Sequence, residues 1–172
     1  MTQESYKDGM EITQLLREGR EDEAIAIMRD NSELLKFQTA AGHTLLSFSA
    51  KYNRLRFAKA ILELGSNPNE ASRSGSSPLS QACIAASKDF VKLLLEHGAD
   101  PNLDRTLFSA SRNKRNEGLA ITKLLIEYGV DVNAVFLMFE DPNNRKTALD
   151  YCGDPKICDL LMSHGAKRAA DL

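Results

Sequence analysis

The 172-residue chain contains no long run of apolar residues, although 42% of its residues are hydrophobic. No stretch approaches the ~20 consecutive apolar residues that a helix needs to cross a bilayer. Residues 1–8 carry neither the basic nor the apolar segment of a secretory signal peptide. These absences predict a protein without a membrane span. They make the cytoplasm the expected location, although a protein exported by a dedicated secretion machine could share them.

The sequence also lacks the short motifs that carry common enzyme chemistry. It contains no Gly-x-Gly-x-x-Gly, no Walker loop, no His-Glu-x-x-His and no Gly-x-Ser-x-Gly. The acidic run Glu21-Asp22-Glu23 is expected to interact favourably with the positive N-terminal end of a helix dipole rather than to act in catalysis. We therefore predict no enzymatic activity, no catalytic residues and no cofactor.

Cysteine is scarce, and its three positions lack metal-binding or redox spacing. Cys83, Cys152 and Cys158 do not form a Cys-x-x-Cys motif. We expect them to serve as small core residues, and we predict no metal site. Cys152 and Cys158 are expected to be neighbours that a cytosolic compartment would keep reduced.

What the chain does contain is an internal repeat. A 33-residue offset places residues 42–46 on residues 75–79, and residues 64–69 on residues 97–102. A fixed period of this length predicts an array in which each unit buries its apolar face only against its neighbours. Such arrays usually present surfaces for binding.

The ends of the predicted helices recur as regularly as the period. A glycine stands one step past each apolar run, where a left-handed residue closes a helix without a Cβ penalty; these are Gly65, Gly98, Gly129 and Gly165. Each unit also has a first apolar run, and a hydroxyl residue precedes that run and is expected to cap the start of its helix. These residues are Thr44, Ser77, Thr106 and Thr147.

These features resemble the ankyrin repeat, whose pattern is Gly-x-Thr-Pro-Leu-His-x-Ala and then a helix ending in Leu-Leu-x-x-Gly-Ala-Asp-x-Asn. Residues 42–69 and 75–102 follow it without a gap, residues 146–152 look like the opening of a final unit, and residues 15–28 look like a degenerate first one. The resemblance implies an all-α solenoid of stacked helix-turn-helix units with short hairpin tips.

Extended along the chain, the resemblance predicts one ankyrin-repeat domain at residues 9–168. Its five units span approximately residues 9–39, 40–72, 73–103, 104–134 and 135–168, with the first and last as caps. Residues 1–8 and 169–172 are predicted to be tails.

The chain also departs from the family pattern. The family's histidine is replaced in every clear unit, so its hydrogen bonds must be replaced or lost; the replacements are Ser47, Ser80, Phe108 and Asp150. The family's mid-repeat glycine is Asn53 in one unit and Ala86 in the next. The tip after Asn102 is short and the tip after Asn133 is enlarged, so both are expected to depart from a regular groove.

In the ankyrin family, partners usually contact the hairpin tips and the exposed ends of the inner helices, which line a concave face. Carried over to matching positions, this predicts a partner-binding set made of His43, Lys51, Tyr52, Arg73, Ser74, Ser76, Ile84, Arg105, Arg112, Lys114, Arg115, Phe136 and Met138. Tyr52 has the amphipathic ring that is enriched in binding hot spots.

The formal net charge of −2 hides an uneven distribution. Residues 1–35 carry four basic and nine acidic side chains, which makes −5, whereas residues 36–75 carry six basic and two acidic, which makes +4. Basic residues in the binding set would accelerate encounter with an acidic protein surface. The alternative is that they only solvate exposed helix ends. Nucleic acid is less favoured, because the chain is not basic overall and shows no recognition-helix pattern.

The enlarged tip contains five consecutive apolar residues, 135–139. Either the loop folds over the last unit and buries its aromatic rings, which is the favoured interpretation for most of the five, or part of it forms an apolar contact site. On this basis Phe136→Ala and Phe139→Ala are expected to differ in their effect on stability.

Together these features predict a non-catalytic module that binds a protein through its concave face and is monomeric alone. Similarity to free-standing bacterial ankyrin proteins suggests an inhibitor or immunity-like role. A scaffold or adaptor and a secreted effector are the alternatives, and an enzyme on a repeat framework is the least favoured.

Overall fold

The computed structural model describes residues 2–113, 117–137, 141 and 143–172. Within these residues, helices follow one another in antiparallel pairs. In chain order the pairs are α1 (Gln3–Glu18) with α2 (Glu21–Asp30), α3 (Leu45–Lys51) with α4 (Leu55–Glu63), α5 (Pro78–Ala85) with α6 (Lys88–Glu96), α7 (Thr106–Ser111) with α8 (Gly118–Glu127), and the 3₁₀ helix Ala148–Tyr151 with α9 (Pro155–Ser163). Further 3₁₀ helices span Ser32–Lys36 and Ala169–Asp171. The predicted all-α solenoid is confirmed.

The pairs stack so that their helices form two rows. The inner row runs through α1, α3, α5, α7 and the 3₁₀ helix Ala148–Tyr151, and the outer row runs through α2, α4, α6, α8 and α9. The core lies between the rows. The first turn of each later outer helix buries one large apolar side chain completely; these are Phe57, Phe90, Ile121 and Ile157. Each such burial stabilises the fold by roughly 1.5–3 kcal/mol, so every unit depends on its neighbours.

The helix-closing glycines take the left-handed conformation that the sequence predicts. Gly65, Gly98, Gly129 and Gly165 all have positive φ angles, between 80° and 96°. In α5 the same role falls to Ala86, whose φ of 57° and ψ of 41° are also left-handed. A Cβ in that conformation costs about 1–2 kcal/mol, so replacing the family's glycine leaves local strain in this unit.

A repeated asparagine joins each tip to the next unit. The side-chain N–H of this asparagine donates to the carbonyl of the helix-closing glycine in the next unit. Its side-chain oxygen accepts the backbone N–H of the residue two positions after that glycine. The donor–acceptor distances are 3.0 and 2.8 Å for Asn69, 3.4 and 2.6 Å for Asn102, and 3.1 and 2.7 Å for Asn133. These bonds fix the register between consecutive units.

Two of the predicted helix caps are confirmed. The hydroxyl of Thr44 accepts the N–H of Ser47, and the hydroxyl of Ser77 accepts the N–H of Ser80, each at 3.1 Å. Both bonds satisfy an N–H that has no partner inside its helix.

The cap predicted at Thr106 is wrong. Thr106 lies inside α7, whose N-cap is Arg105, and its hydroxyl donates to the carbonyl of Leu103 at 2.7 Å. The shortened tip before α7 brings that carbonyl within reach. In the last unit the hydroxyl of Thr147 donates to the carbonyl of Lys167 at 2.8 Å, which ties the end of the chain to this unit.

The replacements of the family histidine differ from unit to unit. Ser47 accepts a bond from the Thr44 hydroxyl at 3.0 Å, whereas Asp150 accepts the N–H groups of Thr147 and Ala169 at 2.8 and 3.0 Å. Burial alone would raise the pKa of Asp150, but these bonds, the Thr147 hydroxyl and the charge of Lys146 lower it below its ordinary value.

Described residues of both predicted tails have regular structure, because α1 begins at Gln3 and a 3₁₀ helix spans Ala169–Asp171. Thr2 caps α1 by accepting the N–H of Ser5 at 3.1 Å, and the side chain of Asn31 donates to the Ser5 hydroxyl at 3.4 Å. At the other end, the N–H of Ala169 is bonded to Asp150. These contacts attach described residues near both ends to the fold, and the domain and unit boundaries given above stay a prediction.

The enlarged tip of the last unit forms a short hairpin. Strand β1 (Phe136–Leu137) pairs antiparallel with β2 (Arg145–Lys146), with Phe136 opposite Lys146 and Leu137 opposite Arg145. The hairpin stands beside the 3₁₀ helix Ala148–Tyr151, so its residues reach the end of the inner row.

The cysteines follow the prediction only in part. Cys83 is fully buried in α5, and burial raises the pKa of its thiol. Cys152 and Cys158 are neighbours, with Cα atoms 5.7 Å apart, but they form a disulfide. The structure therefore departs from the expected pair of reduced thiols, because the turn into α9 brings the two sulfurs together. The form that exists in a cell depends on the redox state of the compartment.

Candidate protein-binding face

The exposed ends of the inner helices and the adjacent tips form one surface, which we call the inner face. One repeat position is occupied by Lys51, Ile84 and Arg112. Each lies five residues after the leucine that matches the family's Pro-Leu, which is residue 46, 79 or 107. All three are exposed, and Ile84 is 56% exposed. Because α3, α5 and α7 pack side by side, the stack brings these three predicted residues into a row.

A groove of about 470 Å³ opens between the ends of α3 and α5. Lys51, Tyr52 and Ile84 line it, together with Gln81. The ring of Tyr52 packs 4.8 Å from that of Phe48, and the Lys51 ammonium lies 5.9 Å from the Tyr52 ring centre. The groove therefore combines an anchored aromatic ring, an exposed aliphatic side chain and a positive charge.

His43 is partly buried, unlike the exposed Lys51 of the same unit. Its ring is half-buried, and its Nδ1 atom is buried without a hydrogen-bond partner among the described residues. Burial, and then the nearby charge of Lys51, lower the pKa of His43 below its ordinary value. The neutral form is therefore favoured at this position.

The predicted residues at the tip of the third unit make hydrogen bonds that stabilise the tip itself. The N–H of Arg73 donates to the carbonyl of Gly42 at 2.9 Å, which joins neighbouring tips. The hydroxyl of Ser74 bonds that of Ser72, and the N–H of Ser76 donates to the Ser72 hydroxyl. The side chain of Arg73 remains exposed.

At the other end of the inner face, two predicted arginines meet three aromatic rings. We call Arg105, Phe108, Arg112, Phe136 and Tyr151 the arginine–aromatic cluster. The Phe108 ring centre lies 4.5 Å from that of Phe136 and 5.4 Å from that of Tyr151. The Arg112 guanidinium carbon lies 5.1 Å from the Phe108 centre and 5.7 Å from the Tyr151 centre, while that of Arg105 lies 5.7 Å from the Phe136 centre.

Sequence reasoning missed two members of this cluster. Phe108 stands where the family has histidine. That replacement of a polar ring by an apolar one was the sequence feature that could have indicated aromatic contacts here. Tyr151 ends the 3₁₀ helix Ala148–Tyr151 of the last unit, from which the predicted binding set took no residue. Phe136 is half-buried against Phe108, which agrees with packing as the fate of this part of the loop.

Some predicted residues lie outside the described part of the chain. They are Lys114, Arg115 and Met138 of the binding set, and Phe139 of the apolar run. Their assignment to the binding face stays a prediction.

The acidic run of α2 is taken up by structural contacts. Glu21 accepts the N–H of Phe57 at 2.9 Å, and Asp22 forms an ion pair with Arg56. These carboxylates hold α2 against the start of α4. By contrast, neither Arg105 nor Arg112 forms an ion pair with any residue that the structure describes.

The described ranges contain no group of three or more His, Cys, Asp or Glu side chains arranged to hold a metal ion. The helices within them include none that is both long and apolar enough to cross a membrane.

Paired helices, left-handed closing glycines and projecting tips define a solenoid of the helix-turn-helix repeat class. A family model of three ankyrin repeats matches residues 7–105, which is more than half of the chain. The chain therefore belongs to the ankyrin-repeat family. It is also similar to human neurogenic locus notch homolog protein 4, with 39% identity over 54 residues. That match covers 31% of this chain and 3% of that protein, so the chain spans a small fraction of its relative's length.

Ankyrin repeats are generally protein–protein interaction modules, and the family is typically non-catalytic. The matched residues end at the start of α7. The helix pairs that follow continue the stack. The arginine–aromatic cluster therefore extends the inner face beyond the matched repeats.

Proposed function

We propose that the protein binds a protein partner through its inner face and acts by covering a functional surface of that partner. The row of Lys51, Ile84 and Arg112 carries this proposal. These side chains recur at one repeat position on helices that pack side by side, and they alternate charge with exposed apolar area. Exposed apolar area bordered by polar groups marks interaction sites.

The charge of the inner face favours an acidic partner. Lys51, Arg73, Arg105 and Arg112 are exposed on it and are free of ion pairs with other described residues. Complementary charge mainly accelerates association, and salt screens it. Raising the salt concentration should therefore lower the association rate more than it raises the dissociation rate.

The test uses charge reversal with a matched control. Lys51→Glu with Arg112→Glu changes the inner face, whereas Lys59→Glu with Lys123→Glu makes the same change of charge on exposed positions of outer helices α4 and α8. Each protein is immobilised and used to recover a partner from native lysate. The inner-face pair should lose the partner that the wild type and the control retain. Equal recovery by all three would contradict the proposal.

An inhibitor or immunity-like role is the particular form we propose. A purified inhibitor should abolish the activity of its captured partner at stoichiometric ratio. A scaffold or an effector would leave that activity intact while bridging or redirecting the partner, and this outcome would remove the inhibitor role but keep the binding module.

A monomeric protein acting in the cytoplasm completes the proposal. Exposed lysines on the outer helices, such as Lys59 and Lys123, disfavour self-association. Sedimentation of the purified chain should give the monomer mass. Rapid alkylation in intact cells should find Cys152 and Cys158 as free thiols in a reducing compartment, and a protected pair would place the protein in an oxidising one.

A further inference from the structure

The arginine–aromatic cluster has an unusual distribution of exposure. Phe108 is 9% exposed and forms its floor, whereas Tyr151 is 37% exposed and both arginines are exposed. Leu137, at the end of β1, is 40% exposed beside the cluster. An apolar floor thus lies under two cationic groups that water reaches.

Both arginines are held by contacts that leave hydrogen-bonding capacity unused. Arg105 donates one bond, to the carbonyl of Leu137 at 3.1 Å, and its guanidinium also faces the Phe136 ring. The Arg112 guanidinium contacts two rings, and within the described chain this group makes neither a hydrogen bond nor an ion pair. A guanidinium has five N–H donors in one plane, so contact of its face with a ring leaves N–H groups at its edge available to donate two parallel hydrogen bonds to a carboxylate.

Holding the arginines in place favours binding in a second way. An arginine that is ordered only on binding loses rotamer freedom, which weakens binding. Ring contacts on Phe108, Phe136 and Tyr151 restrict that freedom in the free protein. Much of this cost is therefore already met before a ligand arrives.

The spacing of the arginines sets the length of a ligand. Arg105 and Arg112 flank α7, and a rise of 1.5 Å per residue places their Cα atoms roughly 10 Å apart. An extended chain advances about 3.3 Å per residue. Two carboxylates separated by two to four residues would reach both guanidinium groups, and an apolar side chain between them would meet Phe136 and Leu137.

We propose that the arginine–aromatic cluster binds an extended acidic segment of the partner, through one carboxylate on Arg105, one on Arg112 and an apolar side chain between them. The site rests on the proposed function, because it lies on the same inner face. An acidic peptide is favoured over nucleic acid because the chain has a formal net charge of −2, whereas binding to a phosphate backbone requires many cations. Aromatic rings with arginine also stack on bases, so an oligonucleotide is the rival ligand to test.

The probe is a fluorescein-labelled peptide made of three Glu-Glu-Leu repeats, and its binding to the full chain is measured by fluorescence anisotropy at low and high salt. We expect saturable, salt-sensitive binding that Arg105→Gln or Arg112→Gln weakens about tenfold or more, since each change removes a charge-assisted pair. Arg112→Lys should also weaken binding, because it keeps the charge and loses the planar donors.

Arg29→Gln is the matched control, because Arg29 is exposed on α2 and distant in the stack. It should bind the peptide like the wild type. Thermal unfolding of each variant confirms that the exposed substitutions leave the fold intact.

Three results would overturn this site: absence of saturable binding, equal affinity of Arg112→Gln and wild type, or displacement of the peptide by oligothymidylate at lower concentration. If the peptide fails but the inner-face charge reversal still abolishes partner capture, the proposed function stands and only the acidic-segment site is lost. If partner capture is also unaffected, the proposed function fails with it.

Discussion

The side-chain oxygen of Asn102 accepts the backbone N–H of Asp131, one unit further along the stack, at 2.6 Å. The same amide donates to the carbonyl of Gly129 at 3.4 Å. One side chain thus satisfies a donor and an acceptor of the neighbouring unit, and it does so where the two units meet at the surface. This arrangement makes Asn102 a sensitive position for the coupling between units.

We expect Asn102→Ala to lower the free energy of unfolding by about 1–2 kcal/mol, because it removes two bonds that each contribute about 0.5–1.5 kcal/mol. Urea unfolding followed by circular dichroism measures the loss. Asn143→Ala is the control at an exposed position of the last tip, and it should change stability by less than about 0.5 kcal/mol. Equal effects of the two substitutions would show that the bond to Asp131 does not couple the units.

Ala86→Gly should stabilise the protein. Glycine removes the strain of the left-handed conformation at φ 57°, which costs about 1–2 kcal/mol. Part of this stabilisation is lost because glycine also increases the conformational freedom of the unfolded chain. A net gain of about 0.5–1 kcal/mol should raise Tm by roughly 1–4 °C for a chain of this size. Ala26→Gly, at an exposed position inside helix α2, should instead destabilise by about 1 kcal/mol. A loss of stability in both variants would show that position 86 is not strained.

The half-buried ring of His43 should make stability depend on pH in the mildly acidic range. Because burial and Lys51 lower its pKa in the folded state below the ordinary value of 6.5, the unfolded chain takes up the proton first. Stability is therefore complete above about pH 6.5 and falls as the pH drops from there through the folded-state pKa.

The measurement is Tm between pH 7.5 and 5.5, a range above the titration of ordinary carboxyl groups. Tm of the wild type should fall across this range, and His43→Gln should show a smaller fall. His97→Gln, at the exposed end of α6, should keep the wild-type slope. Identical slopes for wild type and His43→Gln would refute the assignment.

The disulfide between Cys152 and Cys158 should stabilise the last unit. It closes a loop with a sequence separation of 6, for which the loop-entropy relation gives about 2 kcal/mol. Reductant should lower the free energy of unfolding by that order. The double variant Cys152→Ser, Cys158→Ser should be insensitive to reductant. If reductant affects wild type and double variant alike, the bond does not contribute.

Thiol titration provides an independent check on the same bond. Without reductant, the wild type should show one thiol, that of Cys83, and it should react only after denaturant exposes it because the side chain is fully buried. Two additional thiols in the untreated, air-oxidised protein would contradict the disulfide.

The fold was predictable because its signals are local. Gly65 and Gly98 mark helix ends through the backbone conformation of single residues, and Thr44 and Ser77 cap helices by bonds to residues three positions away. The cap at Thr106 failed for a related reason. A shortened tip moved the helix start by one residue and placed the hydroxyl beside the carbonyl of Leu103.

The composition of the inner face was only partly predictable. The repeat register identified Lys51, Ile84 and Arg112, because equivalent positions on stacked helices share an exposed edge. It did not identify Tyr151, because the ring reaches Arg112 only through the irregular last unit. The disulfide was likewise missed, since bonding of Cys152 to Cys158 depends on the turn that joins the 3₁₀ helix to α9.

From its own repeat period and helix-end residues, the amino-acid sequence determined that this protein stacks helix pairs and which residues of each pair face outward. Such properties depend on interactions within a few residues along the chain. The tertiary structure decided which outward-facing residues meet. Phe108, Phe136 and Tyr151 come from three elements, and their rings come into contact only when the hairpin tip and the last helix pair pack against α7.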